Sequence, residues 1–250
     1  MITVMGQDQT LSKGKLYGIG VGPGDPELIS VKGLRILCTV PVVSFPAGLS
    51  DQSGIAQQII TPWLRSDQIQ VPLTFPYIQD LDLLQQAWGV AAQQVWKYLC
   101  QGQDVAFVSE GDVSFYSTFT YLSRTLQHLY PEAKIETIPG ICSPLAAAAA
   151  LGLPLTVQGD RLAILPALHR LADLAAVLAW AEVVVLLKVS RVYPQVWQTL
   201  NELQCLDRSY VVVRAGTGQQ EIYRDLQKHP NLELPYFSLL VISTHYQSFG

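Results

Sequence analysis

Between residues 16 and 138 of the 250-residue chain, short runs rich in β-branched and apolar residues alternate with stretches of helical periodicity. That alternation restricts the fold more than any other feature, because strand–helix–strand units build a parallel sheet covered by helices. Residues 16–21, 41–45, 68–73, 104–109 and 134–138 read as strands. Asp25-Pro26-Glu27 offers an N-cap, a proline at the first helical position and an early carboxylate, and predicts a helix running to about Cys38. Between Asp80 and Cys100, Leu84, Ala87, Ala91, Val95 and Leu99 recur at helical spacing, with Gly102 beyond them as a stop. Trp88 and Trp96 extend this stripe, either as packing or as contacts to a ligand or partner. Beyond Pro139-Gly140 the texture changes to an alanine-rich helix over 145–151 with Gly152 after it, followed by strands over 182–189, 210–213 and 236–243. The expected fold class is α/β: two adjoining α/β domains, 14–139 and 140–250, with the cleft between them as the default ligand site.

Composition narrows the function. Hydrophobic residues make up 49% and charged residues 14%, which suits packed cores and not a disordered chain. With 16 Lys+Arg against 20 Asp+Glu, no positive field exists to hold a nucleic-acid backbone. Residues 1–10 read as a loose tail with no secretory pattern. The apolar stretches 144–157 and 172–187 are interrupted and shorter than the roughly 20 clean residues of a membrane span. Cys38, Cys100, Cys142 and Cys205 form no C-x-x-C pair, and His128, His169, His229 and His245 are equally scattered. No metal or thiol-redox site is expected, and a reducing cytoplasm fits.

The segment Gly18-Ile19-Gly20-Val21-Gly22-Pro23-Gly24-Asp25-Pro26 follows a strand and opens a helix, where backbone N–H groups converge on a ligand. It is not the dinucleotide fingerprint, whose third glycine falls on Pro23 counted from Gly18 and on Asp25 counted from Gly20. The P-loop ending is also missing. The segment is a tight turn or a different ligand loop. A second loop, Ser109-Glu110-Gly111-Asp112, leaves a buried strand, with helical periodicity over 114–129 after it. Asp112 can cap that helix, face a ligand, or do both.

Three ordered motifs now carry a resemblance: Gly-Ile-Gly-Val-Gly-Pro-Gly-Asp-Pro-Glu-Leu, Ser-Glu-Gly-Asp-Val-Ser-Phe-Tyr-Ser-Thr-Phe, and Ile-Pro-Gly-Ile-Cys-Ser-Pro. Together they resemble the tetrapyrrole methylases, two-domain α/β enzymes that use S-adenosylmethionine and have the active site in the interdomain cleft. Residues 42–48, 71–76, 115–119, 187–189 and 234–242 are most similar to the members that methylate precorrin-2, or its cobalt form, at C20 in corrin biosynthesis. The resemblance spans residues 15–243. Carried over position by position, it implies cofactor contacts at Pro23, Gly111, Asp112, Phe115, Cys142, Ser143, Leu187, Arg214 and Ala215, with Ser238 as a weaker candidate. It also implies a homodimer. The chain departs from the family at Val113, where a proline is usual and a looser loop is expected, at Tyr77, and across Thr217-Gly218-Gln219-Gln220.

A carboxylate-rich tetrapyrrole asks an acidic protein for local cations. Lys188 and Arg191 are the first candidates, with Arg124 and Arg35 behind them. No triad is present and no base is identified, because a sulfonium methyl needs orientation and exclusion of water more than acid–base chemistry. Methylation at another tetrapyrrole position and a catalytically silent binding protein remain as alternatives. A nicotinamide oxidoreductase is disfavoured by the broken fingerprint.

Overall fold

The structure, a computed structural model, describes residues 12–48, 53–76, 78, 80–168 and 170–243. The tail 1–10, Tyr77, His169 and His245 lie outside the described residues. Contacts divide the chain into two compact units, one containing residues up to 21 and 29–140, the other 22–28 and those from 141 onward. The segment 22–28, which the sequence places in the first domain, therefore groups with the second unit.

The first unit contains β1 (Lys15–Gly20), α1 (Val31–Thr39), β2 (Val42–Pro46), α2 (Ile55–Ile60), β3 (Ile69–Leu73), α3 (Leu81–Leu99), β4 (Val105–Ser109), α4 (Phe119–Leu129) and β5 (Lys134–Ile138). Its five strands form one sheet in the order β3-β2-β4-β1-β5, parallel throughout. Side chains alternate across the sheet with period two. Val105 and Phe107 enter the core shared with α3 and α4, whereas Ala106 and Val108 enter the opposite core, shared with α1 and α2. Strands buried on both faces explain the near-continuous apolar runs in the sequence.

Two helix starts differ from the expectation. Residues 26–28 form a single 3-10 turn, and α1 begins five residues later at Val31, where Ser30 Oγ accepts the Gly33 N–H at 3.1 Å. Asp25 instead accepts the Glu27 N–H at 2.8 Å within the turn. Likewise α4 starts at Phe119, not near Ser114, because Tyr116 takes a left-handed φ of 52° that interrupts helical winding. The helix predicted after Asp80 forms as expected, with Asp80 Oδ1 accepting the N–H groups of Asp82 and Leu83 at 3.0 and 3.1 Å. Trp88 stacks on Tyr121 with centroids 4.5 Å apart, and Trp96 on Tyr130 at 4.3 Å. Both indoles act as packing between α3 and the α4 segment.

The second unit contains α5 (Ser143–Leu151), β6 (Leu162–Leu165), α6 (Leu171–Leu178), β7 (Val183–Leu187), α7 (Tyr193–Glu202), β8 (Ser209–Val213), β9 (Glu221–Tyr223) and β10 (Ser238–Ser243). Its sheet order is β6-β7-β10-β8-β9. Only β6 and β7 are parallel; β10 runs antiparallel to β7 and β8, and β9 antiparallel to β8. The parallel sheet expected from the alternation over residues 16–138 is thus the sheet of the first unit, and the sheet of the second unit is mixed. No crossover α-helix separates β8 from β9 or β9 from β10, and without one the chain reverses direction. Helices α6 and α7 share one core with the sheet, and α5 shares the other. Ala146 and Ala147 are small enough to let α5 approach the strands closely. Among the described residues no helix is long and apolar enough to cross a membrane.

Candidate functional site

Because the first sheet is parallel, its strands deliver their C-terminal ends to one edge, the usual ligand edge of such sheets. Strand β1 ends at Gly20, flanked by β4, which leads into Gly111, and by β5, which leads into Gly140. A Cβ on Gly20 would lie 2.7 Å from the Gly111 carbonyl oxygen and 2.7 Å from the Gly140 nitrogen, and one on Gly140 would lie 2.2 Å from the same oxygen. Gly111 itself has a φ of 69°, in the region that favours glycine. Three backbones therefore meet where no side chain fits.

Asp112 ties two of these loops together. Its Oδ2 accepts the Gly140 N–H at 2.7 Å, and its Oδ1 accepts the Ser114 N–H at 2.8 Å and the Ser114 hydroxyl. Partial burial pushes the carboxyl up, but the hydrogen bonds from Ser114 and Gly140 outweigh burial and hold it below the usual aspartate value. Asp112 does not cap α4, whose start lies seven residues further on. Val113 is 1% exposed and packs into the α3–α4 core. Burial thus anchors the loop that the missing proline was expected to loosen. Phe115 is half-buried and meets Tyr116 edge-on at 4.7 Å.

In the second unit, strand direction gathers the predicted residues. Since β10 runs against both neighbours, its start lies beside the ends of β7 and β8: Leu239 pairs with Leu187 and Ser238 with Val213. Leu187, Lys188, Arg214, Ala215 and Ser238 consequently share one edge. Lys188 and Arg214 leave their strands with φ of 55° and 47°, both left-handed. The Arg214 N–H donates to the Phe237 carbonyl at 2.8 Å, and its guanidinium donates to the Gln219 side-chain oxygen. Leu187 and Ala215 pack in the apolar core beneath α5, and the buried Ser238 hydroxyl donates to the Pro235 carbonyl at 2.7 Å. These three residues have structural duties at the edge.

Pro23 joins this group. A Cβ on Gly216 would lie 2.7 Å from Pro23 Cγ, and one on Gly24 would lie 2.2 Å from Thr217 Cγ2, so the Pro23-Gly24 turn rests on the turn after β8. That turn is closed by its own side chains: Thr217 Oγ1 donates to the Arg214 carbonyl at 2.9 Å, and Gln220 Oε1 accepts the Gly216 N–H at 2.9 Å. Cys142 and Ser143 open α5, with the Cys142 carbonyl accepting the Leu145 and Ala146 N–H groups at 3.1 and 3.2 Å. The Cys142 side chain makes no capping bond.

Arg191 and Arg214 line a groove of about 630 Å³ that also contains Glu221 and Glu233. Lys188 Nζ sits 5.5 Å from the centroid of the Tyr236 ring. The structure does not bring Arg35 and Arg124 together: they ride on α1 and α4, which cover opposite faces of the first sheet. Sequence reasoning missed the contact of Gly20 with Gly140, which depends on strand order, and the exposure of Tyr236 and Phe237. The second was within reach, because both residues fall in the run 234–242 that carried part of the resemblance.

The family model described as Tetrapyrrole (Corrin/Porphyrin) Methylases matches residues 15–229. The chain is 32% identical over 237 residues to a precorrin-2 C(20)-methyltransferase of Sinorhizobium sp, covering 92% of this chain and 95% of that one. It is 28% identical over 236 residues to a cobalt-precorrin-2 C(20)-methyltransferase of Salmonella typhimurium, covering 94% and 98%. Among solved structures, a uroporphyrin-III C-methyl transferase from Thermus thermophilus, complexed with S-adenyl homocysteine, superposes with a TM-score of 0.65 at 21% identity, covering 92% of this chain and 97% of that one. At that identity the likeness is one of fold.

Proposed function

The chain belongs to the tetrapyrrole (corrin/porphyrin) methylases, and from that membership we propose that it transfers a methyl group from S-adenosylmethionine to C20 of precorrin-2 or cobalt-precorrin-2 in cobalamin biosynthesis. The observation that carries the choice of substrate is the likeness to the Sinorhizobium enzyme along nearly the whole of both chains. Bound S-adenosylmethionine supplies an electrophilic sulfonium methyl.

The residues present fit such a cofactor. On the first unit, Gly20, Gly111 and Gly140 keep the strand ends bare of side chains, which lets a ligand approach backbone directly. Gly111 and Phe115 are assigned to it there, together with Asp112 as the residue that fixes the loop. On the second unit, Pro23, Cys142, Ser143, Leu187, Arg214, Ala215 and Ser238 are assigned to it, mostly through backbone at the sheet edge and at the start of α5. Lys188 and Arg191 are assigned to the substrate carboxylates. The task of these residues is to hold the reacting carbon and the methyl in line and to keep water away, and good alignment can account for about 7–11 kcal/mol of a barrier. No residue is assigned as a base. The free thiols of Cys38, Cys100, Cys142 and Cys205 support work in the reducing cytoplasm, and the family resemblance supports a homodimer.

The test is mass spectrometry of anaerobic reactions containing the purified protein, S-adenosylmethionine and either precorrin-2 or its cobalt form, with release of S-adenosylhomocysteine followed in parallel. A gain of one methyl on one substrate, placed at C20 by NMR, is the expected result. No gain on either substrate while the cofactor still binds would overturn the choice of substrate.

A further inference from the structure

The second unit presents two aromatic rings that serve neither of its cores. Tyr236 is 46% and Phe237 39% exposed, although all six residues of β10 that follow are buried. Neither ring belongs to the cores built around the second sheet. Their backbone is nevertheless fixed. The Phe237 carbonyl accepts the Arg214 N–H at 2.8 Å, Ser238 Oγ bonds the Pro235 carbonyl at 2.7 Å, and the two rings meet edge to face at 90° with centroids 5.1 Å apart. Rigid aromatic groups held at a surface are pre-organised for binding, because little conformational freedom remains to be lost. Beside them stands Lys188, in a left-handed conformation at the end of β7 and 5.5 Å from the Tyr236 centroid. Strained backbone of this kind concentrates at ligand sites.

Charge identifies the part of this edge suited to an anionic ring. The neighbouring groove balances Arg191 and Arg214 against Glu221 and Glu233, so it has no excess of positive charge. Lys188 is not among that groove's lining residues, and it adds its ammonium directly to the aromatic pair. A conjugated ring carrying carboxylates answers both features, with its flat face against an aromatic side chain and a carboxylate at the ammonium. A neutral base such as adenine uses the rings and gains little from the cation. We propose that Tyr236, Phe237 and Lys188 form a docking face for the tetrapyrrole ring of the substrate, with Tyr236 as the residue that sets the ring's position. The proposal rests on the methyltransferase reading above.

The experiment compares the full chain with Tyr236→Leu, Tyr236→Phe, Phe237→Leu and Lys188→Gln. It measures the Kd for uroporphyrin III, a stable planar octacarboxylate, by fluorescence, the Kd for S-adenosylhomocysteine by calorimetry, KM and kcat on precorrin-2, and molar mass by light scattering. Tyr236→Leu should raise the porphyrin Kd and the precorrin-2 KM at least fivefold while the S-adenosylhomocysteine Kd stays within twofold, and Tyr236→Phe should restore most of the loss. Phe237→Leu should move the same two constants in the same direction. Lys188→Gln should weaken porphyrin binding and flatten its salt dependence. A rise in the S-adenosylhomocysteine Kd instead would place adenine on the rings and overturn the proposal. So would loss of a dimer with unchanged porphyrin binding, which would show the face covered by a second copy. Wild-type turnover of precorrin-2 with all variants unchanged would remove the docking face and leave the reading intact. A wild-type protein that neither binds uroporphyrin nor methylates precorrin-2 would remove both.

Discussion

Asp112 Oδ2 accepts the backbone N–H of Gly140 at 2.7 Å, a bond between the loops that follow β4 and β5, on either side of the end of β1. With Oδ1 engaged by Ser114, the carboxylate acts chiefly as a strap between loops. Asp112→Asn keeps the shape but leaves fewer acceptors for the same donors, so S-adenosylhomocysteine affinity should fall about tenfold, the scale of one hydrogen bond to a charged group, ~1.5 kcal/mol. Titration calorimetry checks it. Because the native carboxyl lies below its ordinary value of 3.8, its contribution to stability is present above that value and fades as pH falls through the lower native one. The stability gap between wild type and Asp112→Asn should therefore narrow in urea titrations as pH drops below 4. A constant gap would show that ionisation of Asp112 is irrelevant.

The glycine contacts predict opposite outcomes for two alanine substitutions. Gly140→Ala puts a methyl 2.2 Å from the Gly111 carbonyl oxygen, against backbone that cannot swing aside. It should cost about 1–3 kcal/mol as overpacking and abolish measurable cofactor binding. Gly89 lies in the middle of α3, where an added methyl would meet nothing within 4 Å, and Gly89→Ala should gain about 0.5–1 kcal/mol from helix propensity. Thermal unfolding of the two variants reads both signs.

What was legible in the sequence follows from which forces are local. Asp80 announces α3 because an N-cap bonds N–H groups two and three residues away, and 134–138 is bounded correctly as β5 because its flanking turn residues are adjacent. The start of α4 was not legible from periodicity, since the left-handed Tyr116 that delays it is a tertiary choice. The same holds for β10. Its residues read as a strand, but its antiparallel place between β7 and β8 depends on partners 25 and more residues away, and that place is what brings Leu187, Arg214 and Ser238 to one edge. Gly111 and Asp112 were visible as a ligand loop through resemblance, whereas the role of Asp112 as a strap needed Gly140, 28 residues on.

A surface ion pair gives a second pH prediction. Arg161 donates to Glu182 from Nε at 3.0 Å and Nη2 at 2.6 Å, with its backbone N–H adding a third bond at 2.8 Å. The pair joins the entries to the parallel strands β6 and β7. The Arg161 guanidinium and backbone hold the Glu182 carboxyl down at about 2. A depressed native value means stability that is present above the ordinary 4.5 and lost as pH falls toward 2. Glu182→Gln should lower the unfolding temperature at pH 7 and at low salt, with the difference from wild type shrinking below pH 4 and in high salt. A difference independent of both would mean that packing, not charge, is what the substitution removes.

The contact between Gly24 and Thr217 offers a rescue test for the turn that carries Pro23. A Cβ on Gly24 would lie 2.2 Å from Thr217 Cγ2, with the Gly216 carbonyl oxygen next nearest at 3.1 Å. Gly24→Ala alone should destabilise the second unit by about 1–3 kcal/mol and weaken S-adenosylhomocysteine binding, because it pushes the Pro23 turn off the turn after β8. Thr217→Ser deletes the methyl but keeps the hydroxyl that donates to the Arg214 carbonyl at 2.9 Å, so alone it should change little. Combined, the two substitutions should recover most of the loss in both unfolding temperature and affinity, a coupling of at least about 0.5 kcal/mol. Additive effects would show that the two turns do not bear on each other. Recovery of stability without recovery of affinity would show that the Pro23 turn packs there without contributing to the cofactor site.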